Sequence, residues 1–246
     1  MPRVGHNSAV TPIGTATRAG AVFAVIAASV LLSGCVSTVS GTATRAHNAG
    51  PGDVAPLDKS RLDDVVLSIN EINAIMGSSS MEVTSELDKM TDHSTDVSDK
   101  ECLGAIYGAE EPVYAGSGWT AVLDQISREE GNDNEHWVEQ TVVLYPSADK
   151  AQGFFEKSKS MWDECSNYTV SVEDGGTAYD WDIEGLNTED AMITQITTQK
   201  EAAGWACQHA LSPVSNITVE VWACSYSPTD EAATIANDMV ANAAEK

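Results

Sequence analysis

Apolar residues recur at three- and four-residue steps in three stretches and alternate with polar ones in several others. The first helical stripe is Ile69, Ile72, Ala74, Ile75 and Met76. Ser68 and Glu71 are spaced as a capping box ahead of it, and Gly77 is placed to end it. Residues 81–87 alternate as a strand, residues 91–100 are polar loop, and residues 102–107 suggest one or two helical turns. Residues 112–118 have the composition of a loop. Residues 119–128 and 136–145 have strand spacing around the turn cluster 130–134, which predicts an antiparallel hairpin. Ala151, Phe154, Phe155, Ser158, Met161, Trp162 and Cys165 then mark one face of a second helix, capped by Ser147. That aromatic stripe belongs to a core rather than a ligand site.

Further strands are predicted over 168–172, 179–183, 191–199, 205–211 and 217–226. A last helix opens on Ser227 as cap, with Pro228 at its first position and apolar Ala233, Ile235, Ala236, Met239, Val240 and Ala243 on one side. The order helix, strands, helix, strands, helix predicts a single α+β domain. It should have a largely antiparallel sheet, with the helices packed on one face.

Near the start, an uncharged apolar run from Ala19 to Leu32 follows Arg18 and ends in Leu32-Ser33-Gly34-Cys35. The run is too short to span a bilayer. With small residues before a cysteine, it has the order of a secretory signal with a lipobox. Residues 1–34 are therefore expected to be a signal peptide. Cys35 is the expected lipidation site, residues 35–60 the lipidated cysteine and flexible tether, and residues 61–246 the domain. One acyl chain holds a protein only marginally, so stable anchoring implies at least two on Cys35. The expected place is the extracytoplasmic face of the cell membrane, reached through that lipid.

Charge sharpens this picture. The 246 residues hold 13 Lys+Arg against 37 Asp+Glu. Arg3 and Arg18 account for all the Lys+Arg of the leader, which has no acid, so the acidic excess belongs to the rest. Such a surface repels nucleic acid and anionic headgroups and could attract cations or cationic ligands, although plain solubility is the simpler account. Apart from Cys35 there are four cysteines, Cys102, Cys165, Cys207 and Cys224, an even number suited to an oxidising compartment. They allow three pairings, and the absence of CxxC gives no support to a zinc site.

Several segments together resemble the mycobacterial PknH-like extracellular sensor domain, from about residue 61 to the end. They are Glu71-Ile72-Asn73-Ala74-Ile75-Met76-Gly77, Pro112-Val113-Tyr114-Ala115-Gly116-Ser117-Gly118-Trp119 and Val142-Val143-Leu144-Tyr145-Pro146-Ser147-Ala148. Gly204-Trp205-Ala206-Cys207-Gln208-His209 and Ala232-Ala233-Thr234-Ile235-Ala236 continue the match. The domain occurs outside the membrane on receptor serine/threonine kinases and in lipoproteins. The resemblance implies a single domain, two disulfides and a groove for a ligand. The sequence shows no kinase Gly-rich loop and no catalytic His-Arg-Asp segment, so it is not expected to signal by itself.

The last two strands bracket a short turn, and each carries a cysteine near its outer end. Opposed cysteines on facing strands are placed to bond. This predicts Cys207–Cys224 and leaves Cys102–Cys165, in agreement with the family. Strand parity then puts Trp205, His209, Glu220 and Trp222 on one face, opposite the expected helical layer. Aromatics beside a histidine and a carboxylate could form a binding surface. A capped sheet face, with His209 paired to Glu220 for structure, is the simpler alternative. On the binding reading, substituting His209 or Trp222 should weaken ligand retention without unfolding the domain.

Catalytic and cofactor signals are sparse. No Gly-x-Ser-x-Gly elbow and no His-Glu-x-x-His occur. A turn explains Ser117 between its glycines. Asp133 and Glu135 have no calcium-loop spacing, and Asp180 and Asp182 read as a solvated strand edge. No cofactor or metal is expected. The reading favoured is a non-catalytic, lipid-anchored envelope sensor module, holding a small molecule or envelope component in a groove. The alternatives are an envelope hydrolase with a site assembled from distant residues, or an accessory lipoprotein docking on a membrane partner.

Overall fold

The computed structural model describes residues 54–131 and 134–245. The expected signal peptide, Cys35 and the expected tether up to residue 53 lie outside the described residues. Helix α1, Ile69–Met76, starts where expected: the Glu71 carboxylate reaches back and accepts from the Ser68 N–H at 2.8 Å. Gly77 ends it in the left-handed conformation, φ 71°, which glycine adopts without a Cβ penalty. Strand β1 is Met81–Leu87, and a 3-10 helix at Lys100–Ala105 carries Cys102. Glu111–Tyr114 then forms a one-turn helix, α2, in the stretch that composition marked as loop, with Pro112 in its first turn. Proline there gives up an N–H that would have no intrahelical partner anyway.

Strands β2, Ala121–Glu129, and β3, His136–Leu144, form the expected hairpin, and α3 is Ala148–Glu164. Six more strands follow: β4, Thr169–Asp174; β5, Thr177–Ile183; β6, Asn187–Glu189; β7, Met192–Gln199; β8, Trp205–Val214; and β9, Ile217–Tyr226. Helix α4, Glu231–Ala244, closes the domain. The nine strands make one antiparallel sheet of order β1-β2-β3-β9-β8-β7-β5-β4, with β6 paired to β7. The α+β class and the antiparallel sheet are as the sequence pattern predicted.

The single helical layer is corrected by the structure. Ala210, Val219, Val221 and Ala223 pack with Ile235, Ala236 and Met239 of α4 on one face. Val122, Val143 and Leu211 pack with Phe154, Phe155 and Trp162 of α3 on the other. The central strands are buried on both sides, so apolar residues appear at adjacent positions such as Val142 and Val143. Each face of such a sheet needs its own cover.

Two further boundaries move. The last helix begins at Glu231 with Asp230 at its cap, not at Ser227. Ser227 has φ 72°, and the Thr229 carbonyl accepts from Gln208 Nε2, so residues 227–229 form a link to the sheet. Strand β8 runs three residues past the predicted 205–211 and includes Pro213. Pairing with β7 ends at Leu211, so the missing proline N–H falls where no neighbour needs it.

Leu57, in the stretch assigned to the tether, is buried. Asn216, at the β8–β9 turn, accepts from the Leu57 N–H at 2.7 Å and donates to the Leu57 and Tyr145 carbonyls at 3.0 Å. Asn216→Ala is expected to cost about 2–3 kcal/mol, because it leaves buried backbone groups unpaired. Chemical denaturation measures the loss, and limited proteolysis should then cut ahead of residue 58.

Candidate functional site

The β8–β9 hairpin sets the site by register. Cys207 faces Cys224 and His209 faces Trp222, so both residues of each pair project to the same side. Cys207–Cys224 and Cys102–Cys165 are both bonded, as predicted. Strand β3 extends the row, with Trp137 opposite Cys224, Glu139 opposite Trp222 and Thr141 opposite Glu220. From β2, Asp124 lies opposite Thr141.

Two roofs cover this face. Over its middle, α3 lays Trp162 on His209, ring centroids 3.8 Å apart, and His209 rests in turn on Trp222 at 3.9 Å. Glu220 is held there by His209 Nε2 at 2.8 Å and by the Tyr114 hydroxyl, which donates at 2.5 Å. Toward the disulfide end the roof lifts and leaves a cavity of about 440 Å³. Its walls include the indoles of Trp137, Trp181, Trp205 and Trp222 and the Cys207–Cys224 disulfide. Ile106, Tyr107 and Gly108, which follow the 3-10 helix, form the opposing side. Gly108 allows a close approach: a Cβ there would stand 3.0 Å from Glu139 Oε2 and 3.2 Å from Trp222 Cδ1.

Buried acids line the cavity beside the indoles. Glu139 and Asp124 are 8% and 2% exposed. Burial pushes the Glu139 carboxyl well above the usual range, and the adjoining Asp124 charge adds to the shift. Burial also raises Asp124, against the hydrogen bond from Thr141 Oγ1 at 2.7 Å. Both shifts favour the protonated form of the pair. Burial lowers His209, so its Nε2–H donates from a neutral ring while Nδ1 has no partner. At the rim Tyr107 is pushed up to about 12, mainly by burial.

The structure brings Trp205 and Trp222 to the cavity wall. His209 and Glu220 share their face but lie under α3, with His209 at 0% exposure. His209 reaches the cavity only through Trp222, so its substitution is expected to act on the fold, contrary to the sequence-based expectation. Trp137, Trp181, Asp124 and Glu139 were not foreseen. The alternation Trp137, Glu139, Thr141 on β3 was the available signal.

Elsewhere, Ser117 Oγ accepts from the Trp119 N–H at 3.4 Å. Asp180 and Asp182 accept from Ser171 and Thr169 across the β4–β5 edge. Asp133 lies outside the described residues. Among the described residues no serine hydroxyl bonds a histidine, and no cluster of His, Cys, Asp and Glu is arranged to hold a metal.

A family model described as the PknH-like extracellular domain matches residues 57–242. The serine/threonine-protein kinase PknH of Mycobacterium bovis is 41% identical over 185 residues, 75% of this chain and 31% of that kinase. The kinase of the same name from Mycobacterium tuberculosis H37Rv is also 41% identical, with 30% of its length covered. The chain thus spans less than a third of either relative. The crystal structure of the extracellular domain of PknH from Mycobacterium tuberculosis superposes with a TM-score of 0.74 at 40% identity. That likeness covers 77% of this chain and 97% of the other.

Proposed function

The chain belongs to the PknH-like extracellular domain family, and from that premise we propose that it is a non-catalytic binding module of the cell envelope. Lipid on Cys35 holds it to the outer side of the membrane. It takes a small molecule or envelope component into the tryptophan-walled cavity. The observation that carries this reading is the cavity itself, about 440 Å³ between the sheet and the segment around Tyr107. A mostly apolar pocket with a few converging polar groups is the ordinary form of a small-molecule site. The hydrolase alternative would need a nucleophile in hydrogen-bond reach of a histidine, and His93, His136 and His209 each lie on a glutamate, Glu110, Glu129 and Glu220, instead.

Mass spectrometry of protein extracted in mild detergent from its native membrane tests the binding role. A compound is expected to co-purify and to be lost in Trp137→Ala and Trp205→Ala. These indoles are partly exposed, so both variants should stay folded. An empty wild-type protein whose tryptophan emission ignores envelope extracts would overturn the reading. Fatty-acid labelling tests the anchor separately: Cys35→Ala should lose the label and leave the membrane fraction.

A further inference from the structure

We infer that the ligand of this cavity is an organic cation, with an apolar body against the indoles and its positive charge at the Asp124–Glu139 pair. The inference rests on the cavity being the binding site. Four tryptophans converge on one space, and indole faces attract cations more strongly than other aromatic rings do. The two carboxyls in the same wall form no ion pair with any Lys, Arg or His among the described residues. The only basic side chain lining the space is His93, whose Nδ1 lies on Glu110 at 2.5 Å. The acidic excess of the chain draws cations toward the mouth.

Glu139 is a poor choice for an empty apolar wall, because burial and the neighbouring acids both oppose its ionisation. Asp124 faces it from β2, Glu220 from β9, and Glu110 from the segment ahead of α2. His209, neutral and bonded to Glu220, supplies no compensating charge. A bound cation supplies it. Seating the cation releases a proton from the Asp124–Glu139 pair to solvent, so affinity rises with pH.

Benzoylcholine and its uncharged carbon isostere, 3,3-dimethylbutyl benzoate, make a matched pair of probes, read by tryptophan fluorescence and calorimetry on the full chain. The cation is expected to bind at least about tenfold more tightly. Calorimetry in buffers of different ionisation enthalpy should register proton release. Glu139→Gln should abolish the preference for the cation, and Asp124→Asn should do the same. Equal affinities for the two probes, or an undiminished preference in both variants, would overturn the cationic assignment and leave the binding cavity standing. If neither probe enters the wild-type protein, the binding cavity itself is overturned.

Discussion

Glu220→Ala is expected to lower the unfolding free energy by about 3–5 kcal/mol, the usual cost of removing one partner from a buried polar set. Glu220 is 4% exposed and accepts from both His209 Nε2 and the Tyr114 hydroxyl. Neither donor can turn to water. His209 is held between Trp162 and Trp222, and Tyr114 is stacked on Phe154 with ring centroids 4.0 Å apart. With the carboxylate gone, His209 has both ring nitrogens unpaired, since Nδ1 already lacks a partner. Glu220→Gln keeps one acceptor and should lose less, about 1–2 kcal/mol. Urea unfolding of the three proteins measures the series. A Glu220→Ala protein within about 1 kcal/mol of wild type would mean that the site relaxes or hydrates more readily than its packing indicates.

Replacing Cys102 and Cys165 together by serine is expected to cost about 4 kcal/mol. The cross-link spans 63 positions of sequence, and its loop-closure entropy is returned to the unfolded chain. The Cys207–Cys224 link spans only 17, and its removal should cost about 3 kcal/mol on the same basis. The longer link also fixes a specific contact. It ties the 3-10 helix at Lys100–Ala105 to the end of α3, where a Cβ on Gly104 would stand 2.5 Å from Met161 Cε. Ile106, Tyr107 and Gly108 continue from that helix into the cavity wall. Hydrogen exchange of residues 100–108 should therefore accelerate in the double serine variant. An unchanged denaturation midpoint would show that packing under α3 holds the segment without the sulfur bridge.

The β8–β9 face was legible because its logic is local. A short turn fixes the register, and period-two alternation then sorts Trp205, His209, Glu220 and Trp222 to one side. The cavity was not legible, because its other walls arrive through long-range pairing. Trp137 lies beside Cys224 only because β9 inserts next to β3, and Trp181 comes from β5, beyond β7. Sequence spacing contains no signal for that strand order. The depth of His209 was hidden for a related reason. The apolar stripe of α3 reveals that a face is covered but not which one, and an assumed single helical layer left the hairpin open. Glu139 is buried only because Gly108, from a segment distant in sequence, packs against its carboxylate.

The sheet order also carries a consequence for biogenesis. Between β3 and β7 lie β9 and β8, the last strands of the described residues to be made. Until they arrive, the earlier strands form two separate groups with bare inner edges, which invite pairing with other chains. The sheet can complete itself only once β8 and β9 have been made, by insertion of that hairpin between those groups. The sheet therefore stays open while its first seven strands are made, and it locks when the β8–β9 hairpin takes its place between them.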